Sequence, residues 1–317
     1  MKTNNVIPMK ESGIARPPES QNIRMGIVGL GFVGKAVEYA FSTKYVEKFI
    51  VDPKFNNNTL QDLLDFQPVV TWVCLPTPSK EDGSIDASVV ETTVKNLISG
   101  SQSFIVIKST CTPDVIEKLT RLDRRVVYEP EFLTEANAIM DYLSPRFRIV
   151  GCVEQSAFNY IQGLYNMFSL CDSTRMSQMT PVEAAFFKYA INTFLAMKIT
   201  FMNQLKTVVD SYGGSYNQLS KALPMDPRIG HTHMKIPGTD GKEGFGGACF
   251  PKDLNAFIQF AEDHANVDPA LLKSVRDINN NIRSQYELGD REKEQNVNYG
   301  QAKEELKDKD NGSPKSK

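Results

Sequence analysis

The chain has 317 residues and a formal net charge of −2 at pH 7, with 41% hydrophobic and 23% charged residues. These fractions are typical of a globular protein with room for two domains. No Lys/Arg block dominates, so the charge gives no reason to expect a nucleic-acid or membrane-surface partner. No apolar run approaches the ~20 residues that a transmembrane helix needs.

The five cysteines are an odd number and lack the spacing of a zinc site. This pattern favours a reducing cytoplasm over a disulfide framework, so we expect a cytoplasmic protein. The three histidines also lack the context of metal ligands, and we predict no catalytic metal. Residues 1–24 are polar, without the apolar core of a signal peptide, and are predicted to form a flexible leader.

From Met25 to about Cys152, short apolar runs alternate with helix-like stretches, a pattern typical of βαβ units. Helices are predicted at Ala87–Ile98 and Asp114–Leu122, the second after Thr112-Pro113. We therefore predict an α/β, Rossmann-like doubly wound parallel sheet over residues 25–175. The predicted strands are Ile23–Val28, Phe49–Asp52, Val69–Cys74, Phe104–Lys108, Val126–Tyr128 and Arg148–Val150.

A capping box at Thr180–Glu183 opens a helical pattern that continues to about Tyr212, where Gly213-Gly214 ends it. We predict one long connecting helix, followed by a small all-α central domain that completes residues 180–284. The later predicted helices are Tyr216–Ala222, Leu254–His264 and Pro269–Arg283. Residues 285–317 are rich in charge and poor in apolar residues, which predicts a disordered tail.

The six residues Gly29 to Gly34 follow the first strand and open a helix, as in dinucleotide-binding turns. Asp52 ends the next predicted strand, where a carboxylate accepts hydrogen bonds from ribose hydroxyls and repels a 2′-phosphate. This context favours NAD binding over a glycine turn that serves only packing. The predicted cofactor-binding residues of this part are Gly29, Gly31, Phe32, Val33, Gly34 and Asp52.

Cys249 lies in the decapeptide Gly244–Asp253, in glycine-rich backbone just before a helix. Helix N-termini and the neighbouring Lys252 favour the thiolate, the form that attacks carbonyls. A small buried cysteine in a tight turn is the alternative for an isolated cysteine. The dinucleotide fingerprint adds a second signal, and the two together indicate oxidation through a thioester.

Residues from Met25 to Arg283 resemble the UDP-glucose/GDP-mannose dehydrogenase family, with several motifs in the family's order. Besides the fingerprint and the decapeptide, these motifs are Pro76-Thr77-Pro78, Lys108-Ser109-Thr110, the segment Glu129 to Glu135, the segment Phe187 to Asn192, and the segment Asp226 to Gly230.

The resemblance implies a four-electron oxidation of a nucleotide-linked sugar alcohol to the acid with two NAD+, without release of the aldehyde. Cys249 would trap the aldehyde as a thiohemiacetal, which is oxidised to a thioester and then hydrolysed. The decapeptide looks most like the UDP-glucose branch, so UDP-glucose is the expected substrate.

The resemblance also implies roles for side chains around the reacting carbon. Lys188 and Asn192, one turn apart on the long helix, would stabilise an oxyanion. Asp253 would orient or deprotonate water, although a helix cap explains it equally well. Glu131 would serve thioester hydrolysis, with Thr110 holding the water. Taken alone, Lys188 and Asn192 would favour a solvated lysine and a surface asparagine, and spacing does not exclude an exposed carboxylate at Glu131.

Further residues are assigned by resemblance to the cofactor, the substrate or the subunit interface. Thr110, Glu135 and Lys252 are expected near the cofactor. Arg228 is expected to reach a neighbouring subunit's sugar site, which implies a homodimer through the central domain. The expected substrate-binding residues are Glu131, Phe132, Leu133, Lys188, Asn192, Arg228, Phe245, Gly246, Gly247 and Cys249.

Family members normally continue past the position of Arg283 into a third domain that holds much of the nucleotide, whereas this sequence continues into the charged tail. We therefore keep a second hypothesis, a non-catalytic NAD-binding subunit or one completed by a partner chain that supplies the nucleotide domain. A two-domain hydroxy-acid dehydrogenase of the 6-phosphogluconate type is a third, but it gives no reason for Cys249.

Overall fold

The computed structural model describes residues 22–172 and 175–300. The described residues divide into two compact units, which we call the sheet unit (22–77, 86–172 and 175–188) and the helical unit (78–85 and 189–300). The division differs from the predicted boundaries, because 78–85 belongs with the helical unit and the first turns of the long helix with the sheet unit. The predicted leader falls outside the described residues except at residues 22–24.

In the part of the sheet unit that the structure describes, seven strands form one sheet in the order β2-β1-β3-β4-β5-β6-β7. Strands β1 to β5 are parallel, β6 meets β5 antiparallel at Tyr128 and Gly151, and β7 is parallel to β6. The predicted doubly wound α/β fold is confirmed, and β7 is an addition to it. The strands are β1 Ile23–Val28, β2 Val46–Val51, β3 Val70–Val73, β4 Phe104–Ile107, β5 Val126–Tyr128, β6 Arg148–Gly151 and β7 Met176–Met179.

Helices cover this sheet, and their starts follow local capping chemistry. Pro113 occupies the first turn of the fourth helix, and Thr59 forms a capping box with Asp62 at the second. The two predicted helices are found within two residues of their predicted ends. The helices are α1 Phe32–Ala40, α2 Leu60–Phe66, α3 Ser88–Gly100, α4 Pro113–Leu122, α5 Ala138–Leu143 and α6 Gln155–Phe168.

The core of the sheet unit forms where central strands meet helices. Met25, Ile27 and Trp72 are fully buried, and the Trp72 ring lies 5.5 Å from the Phe41 ring, centroid to centroid. Burial of both faces explains the continuous apolar runs of these strands, because helices cover a parallel sheet on both sides.

The long helix is α7, Pro181–Ser211. At its start, Thr180 N donates to the Glu183 carboxylate (2.9 Å) and Glu183 N donates to Thr180 Oγ1 (3.3 Å), the predicted capping box. After its end Gly213 has φ +81°, a conformation that glycine adopts readily. The predicted single long helix is confirmed.

The helical unit continues with α8 Tyr216–Ala222, α9 Phe250–Asp263, α10 Ala270–Arg283 and α11 Asp290–Glu294. Helix α9 begins four residues before its predicted start, because Pro251 fits the first turn and Asp253 N donates to Cys249 O at 2.8 Å. One core of this unit contains Ala196, Phe245, Leu254, Ile258 and Val275.

Residues 285–300 differ from the predicted disordered tail. They include α11, and Glu292, Val297 and Tyr299 are each at most 5% exposed. The segment is poor in apolar residues, but its buried carboxylate pairs with Arg283 (2.8 Å), a contact that composition does not reveal. The rest of the predicted tail, 301–317, lies outside the described residues.

Candidate active site

The glycine turn after β1 has different requirements at its three glycines. Gly29 has φ +93°, and a Cβ there would lie 2.5 Å from Cys74 O. A Cβ on Gly34 would overlap Gly29 O, whereas one on Gly31 would meet nothing within 4 Å. Gly29 and Gly34 therefore allow close packing, while Gly31 leaves its backbone open to a ligand, as the pyrophosphate of a dinucleotide requires.

Asp52 follows β2 directly and is 9% exposed. Its carboxylate accepts hydrogen bonds from Leu30 N at 2.6 Å and Lys54 N at 2.8 Å. The contact with Leu30 ties the acidic residue to the glycine turn, which the sequence reasoning did not anticipate. Phe32 and Val33 begin α1 beside this turn. These positions fit NAD, since bare backbone and a fixed carboxylate meet at the ends of adjacent parallel strands.

Glu131 and Lys188 form a buried pair in the sheet unit, 6% and 3% exposed. Lys188 Nζ donates to Glu131 Oε1 at 3.0 Å and to the Glu131 main-chain oxygen at 2.7 Å. The second carboxylate oxygen accepts from Leu133 N at 2.7 Å, and Lys188 Nζ lies 5.4 Å from the centre of the Phe132 ring. The structure therefore brings together four of the predicted residues, Glu131, Phe132, Leu133 and Lys188.

Two other predicted residues lie on loops of the sheet unit. Thr110 follows β4 and is half-buried, and its main-chain oxygen accepts a hydrogen bond from Thr77 Oγ1 at 2.9 Å. Glu135 is exposed at the start of a short 3-10 turn, Glu135–Asn137. The contacts of Glu131 described above do not include either residue.

Cys249 is the N-cap residue of α9 and is half-buried. The predicted placement at a helix start is confirmed. Gly247 has φ +77°, and a Cβ added there would meet nothing within 4 Å. The backbone two residues before the thiol is therefore open on that side, and only a glycine adopts this conformation without strain.

Phe245 and Gly246, on the other side of this loop, face the protein. Phe245 is 3% exposed; its main-chain N donates to Asn279 Oδ1 at 2.7 Å, and Asn279 Nδ2 donates to its main-chain oxygen at 3.0 Å. A Cβ on Gly246 would overlap the Arg283 guanidinium. The Phe245 side chain belongs to the core of the helical unit, so a substrate contact predicted for Phe245 or Gly246 would have to come from the loop backbone.

The other four cysteines lie in different surroundings, and none of the five is in a disulfide. Burial raises the pKa of the Cys74 thiol to about 12 and that of Cys152 to about 11. Burial likewise raises the pKa of Cys171, and Cys111 is fully buried. The thiols of Cys74, Cys152 and Cys171 therefore stay protonated near neutral pH, which makes them poor nucleophiles.

Asp253, in the first turn of α9, is 1% exposed and is held by two side chains. Asn192 Nδ2 donates to Asp253 Oδ2 at 2.6 Å, and Lys252 Nζ donates to Asp253 Oδ1 at 2.6 Å. Because both carboxylate oxygens bind side chains, and Cys249 is the N-cap residue, the helix-cap interpretation of Asp253 is wrong. Asn192 and Lys252 are themselves 7% and 6% exposed.

Arg228 lies in the loop between α8 and α9, with a side chain 87% exposed that forms a salt bridge with Asp226 at 2.6 Å. In the same loop, His233 lies with its ring 5.6 Å from that of Phe250, and burial lowers its pKa. Within residues 22–172 and 175–300, no three His, Cys, Asp or Glu side chains are grouped to hold a metal ion. No helix of these residues is both long and apolar enough to cross a membrane.

Comparisons with known proteins match both units. Residues 54–169 match the NAD binding domain of the UDP-glucose/GDP-mannose dehydrogenase family, and residues 182–281 match its central domain.

Curated relatives include the UDP-glucose 6-dehydrogenase of Pseudomonas aeruginosa, 36% identical over 222 residues, which are 65% of this chain and 47% of that protein. The enzyme of the same name from Rickettsia felis is 30% identical over 230 residues, 70% of this chain and 49% of that protein. The chain spans about half the length of these relatives.

Among solved structures, a UDP-glucose dehydrogenase from the hyperthermophilic archaeon Pyrobaculum islandicum superposes with a TM-score of 0.70 and 25% identity. The superposition covers 84% of this chain and 69% of that one. The two domain matches and these relatives agree on one assignment. The chain belongs to the UDP-glucose/GDP-mannose dehydrogenase family, and NAD is the cofactor of its sheet unit.

Proposed function

We propose that this protein is a cytoplasmic, NAD-dependent nucleotide-sugar 6-dehydrogenase that oxidises UDP-glucose to UDP-glucuronate. The observation that carries the proposal is Cys249, a half-buried thiol at the N-terminus of α9, with the buried Asp253 carboxylate one turn later. Cysteine at a helix N-terminus is the nucleophile that a two-step oxidation through a thioester requires. The family membership supplies the reaction class.

UDP-glucose is the proposed substrate for two reasons. The segment Gly244–Asp253 resembles the UDP-glucose branch of the family, and relatives 30–36% identical carry the name UDP-glucose 6-dehydrogenase. NAD+ supplies the hydride acceptor for each of the two oxidations, bound at the turn of Gly29, Gly31 and Gly34 with Asp52 at the adenosine ribose.

In the proposed reaction, the Cys249 thiolate adds to the C6 aldehyde carbon left by the first oxidation. Lys188 and Asn192 stabilise the oxyanion that forms there, because a cation and an amide donor favour negative charge on oxygen. Loss of the second hydride from the thiohemiacetal gives a thioester, which keeps the intermediate attached to the enzyme.

Hydrolysis then needs a positioned water and a proton acceptor. Glu131 and Asp253 are the proposed bases, and Thr110 is proposed to help hold the water. Attack on the thioester carbon breaks the C–S bond, releases the acid and returns the Cys249 thiolate. Lys252, which bonds Asp253, is proposed to hold that carboxylate in place, and Glu135 to lie on the nicotinamide side.

A homodimer through the helical unit is part of the proposal. Phe194, Phe201 and Val208 follow one another at seven-residue spacing on α7 and are 57%, 57% and 65% exposed. Residues at this spacing share one helix face, and exposed apolar stripes of this kind mark subunit contacts. Arg228 would contribute across that contact, and sedimentation of a monomer with full activity would refute this role.

The experiment that tests the function is NADH formation by the purified protein with NAD+ and UDP-glucose, with the product analysed as acid or aldehyde. Two NADH per glucuronate are expected, and Cys249→Ser should stall before the acid forms. Acid formation by Cys249→Ser at the wild-type rate would exclude Cys249 as nucleophile. Intact NAD binding without turnover would instead favour the subunit completed by a partner chain.

A further inference from the structure

The segment after α10, residues 285–300, reaches the loop that carries Cys249. Arg283 ends α10 with 1% of its surface exposed, and Glu292 in α11 is 3% exposed. Buried charges are costly unless they are paired and hydrogen-bonded. The contacts of these two residues therefore show which parts of the helical unit they hold together.

Glu292 accepts hydrogen bonds from four donors. Oε1 receives Gly247 N at 3.1 Å, Arg283 Nη2 at 2.8 Å and the Tyr299 hydroxyl at 2.7 Å. Oε2 receives Gly289 N at 2.7 Å. One carboxylate thus connects the glycine loop, the end of α10 and the chain on both sides of α11.

The neighbouring glycine shows how closely this carboxylate and its partner approach the loop. A Cβ on Gly246 would overlap the Arg283 guanidinium and would lie 2.6 Å from Glu292 Oε1. The guanidinium is fixed in turn, because Arg283 Nη1 donates to Asp240 Oδ2 at 2.8 Å. The backbone of Gly246 and Gly247 therefore rests on an ion pair whose acidic member comes from α11.

We propose that Glu292, held by Arg283 and Tyr299, is a positioning residue that fixes the Gly246-Gly247 backbone and thereby the approach to Cys249. The inference rests on the proposed function, because it assumes that Cys249 reacts. Residues 285–300 become part of the machinery of the site, although the sequence predicted a disordered tail.

The physical reason lies in the glycines. A glycine-rich loop has many accessible conformations, and one at φ +77° is not held by side-chain sterics. A charge-assisted bond from Gly247 N to a carboxylate selects one of them, and that carboxylate is itself held by three further donors. Because a small misplacement of reacting groups lowers rates strongly, loosening this bond should lower kcat more than it raises KM.

The test compares Glu292→Ala, Glu292→Gln and Tyr299→Phe in the full chain. Glu294→Gln is the matched control, since it removes the same charge from the same helix at a side chain 47% exposed. Three quantities are measured: amide hydrogen exchange at Gly247, kcat and KM for UDP-glucose, and the pH dependence of Cys249 alkylation by iodoacetamide, followed on its own peptide.

For Glu292→Ala we expect exchange at Gly247 to be about tenfold faster and kcat about tenfold lower, as for loss of one charge-assisted hydrogen bond. Tyr299→Phe, which removes only a hydroxyl, should show about threefold effects in the same direction. In both variants alkylation of Cys249 should slow, with its half-maximal rate at higher pH, because the thiol leaves its place at the start of α9. Glu294→Gln should match the wild type.

Unchanged Gly247 exchange and unchanged Cys249 alkylation in a folded Tyr299→Phe variant would overturn the proposal, even if Glu292→Ala does not fold. A lower melting temperature of the Glu292 and Tyr299 variants together with wild-type kcat would also overturn it, since these residues would then serve stability alone. If the wild type does not oxidise UDP-glucose, exchange and alkylation still test the positioning, so failure of the function and failure of this inference are distinguishable.

Discussion

Two buried lysine–glutamate pairs of the sheet unit have glutamates only two residues apart in the chain, yet the two carboxylates differ in their surroundings. Glu129 pairs with Lys108 at 3.1 Å, and Glu131 pairs with Lys188 at 3.0 Å. All four side chains are at most 6% exposed. Burial and pairing are therefore the same in kind, and the remaining donors make the difference.

Glu129 Oε1 also accepts from the Tyr165 hydroxyl at 2.8 Å and Arg148 Nη1 at 3.4 Å, so one oxygen connects the residue after β4 with β6 and α6. Burial lowers the pKa of Lys108, although Glu129 acts to raise it. Lys188, in contrast, shares its contacts between the Glu131 carboxylate and the Glu131 main-chain oxygen. Three side-chain donors therefore hold the Glu129 carboxylate, whereas one side-chain donor, Lys188 Nζ, and one main-chain donor, Leu133 N, bond the Glu131 carboxylate.

The largest effect is expected at the first pair. Glu129→Gln should lower the free energy of unfolding of the sheet unit by about 3–5 kcal/mol, because it leaves buried cations without their carboxylate. Urea unfolding followed by the fluorescence of Trp72, the single tryptophan, reports this unit, since Lys108 Nζ lies 5.9 Å from its ring centre.

Glu131→Gln is the matched substitution two residues away. It should cost about 1–2 kcal/mol, because Lys188 keeps its bond to the main-chain oxygen of residue 131. An equal loss in the two variants would mean that the additional side-chain donors to Glu129 do not determine the cost of removing its charge.

For activity the order should be reversed, with the larger loss in Glu131→Gln. With Glu131→Gln we expect release of the acid to slow about 100-fold, as for loss of a general base, while a first burst of NADH remains. Rapid-quench analysis of the enzyme-bound intermediate measures this. Glu129→Gln, assayed well below its melting temperature, should keep kcat within about twofold of the wild type. If Glu129→Gln slowed acid release as much as Glu131→Gln, Glu129 would not be a purely structural residue.

For Glu292 in the helical unit we predict a smaller effect on the melting temperature, one that depends on pH. Burial acts to raise the pKa of Glu292, but hydrogen bonds from Tyr299, Gly289 and Gly247 and the charge of Arg283 outweigh it and lower that pKa below 4.5. A carboxyl whose pKa is lower in the native state stabilises above its unfolded pKa, and this stability is lost as pH falls through the native value.

Wild type should therefore melt about 2–4 °C above Glu292→Gln at pH 7, and the gap should close as pH falls below about 4.5. Differential scanning calorimetry of the two proteins from pH 7 downward measures the gap. A gap that stays constant through the acid range would mean that Glu292 stabilises by packing, without its charge.

Features that depend on neighbouring residues could be predicted from the sequence. Strands β1 and β5 have their predicted bounds, the glycine turn precedes α1, the capping box at Thr180 opens α7, and Cys249 stands at a helix start. Each follows from periodicity or capping within about ten residues. Strand β7, Met176–Met179, has a weaker pattern because its residues are all half-buried at the sheet edge.

Contacts between distant residues were beyond such reasoning. Glu131 meets Lys188 across 57 positions, and Gly247 meets Glu292 across 45. Residue types at Glu292 and Tyr299 indicate a solvated tail, and only their partner Arg283 makes burial favourable. Resemblance supplied Glu131 and Lys188 as candidates, but it had nothing to say about residues 285–300.

The smallest expected change in stability is at two glycines, Gly247 and Gly213, of which only the first lies near Cys249. Gly247 and Gly213 have φ +77° and +81°, and a Cβ on either would meet nothing within 4 Å. Alanine at each should therefore cost the same, about 1 kcal/mol, which is the strain of a left-handed conformation. Gly213 follows α7, whereas Gly247 lies two residues before Cys249, so only Gly247→Ala should place a methyl group where substrate approaches. We expect Gly247→Ala to lower kcat/KM for UDP-glucose at least about tenfold and Gly213→Ala to leave it unchanged. Equal kcat/KM values would mean that the open side of Gly247 is not the approach to the thiol.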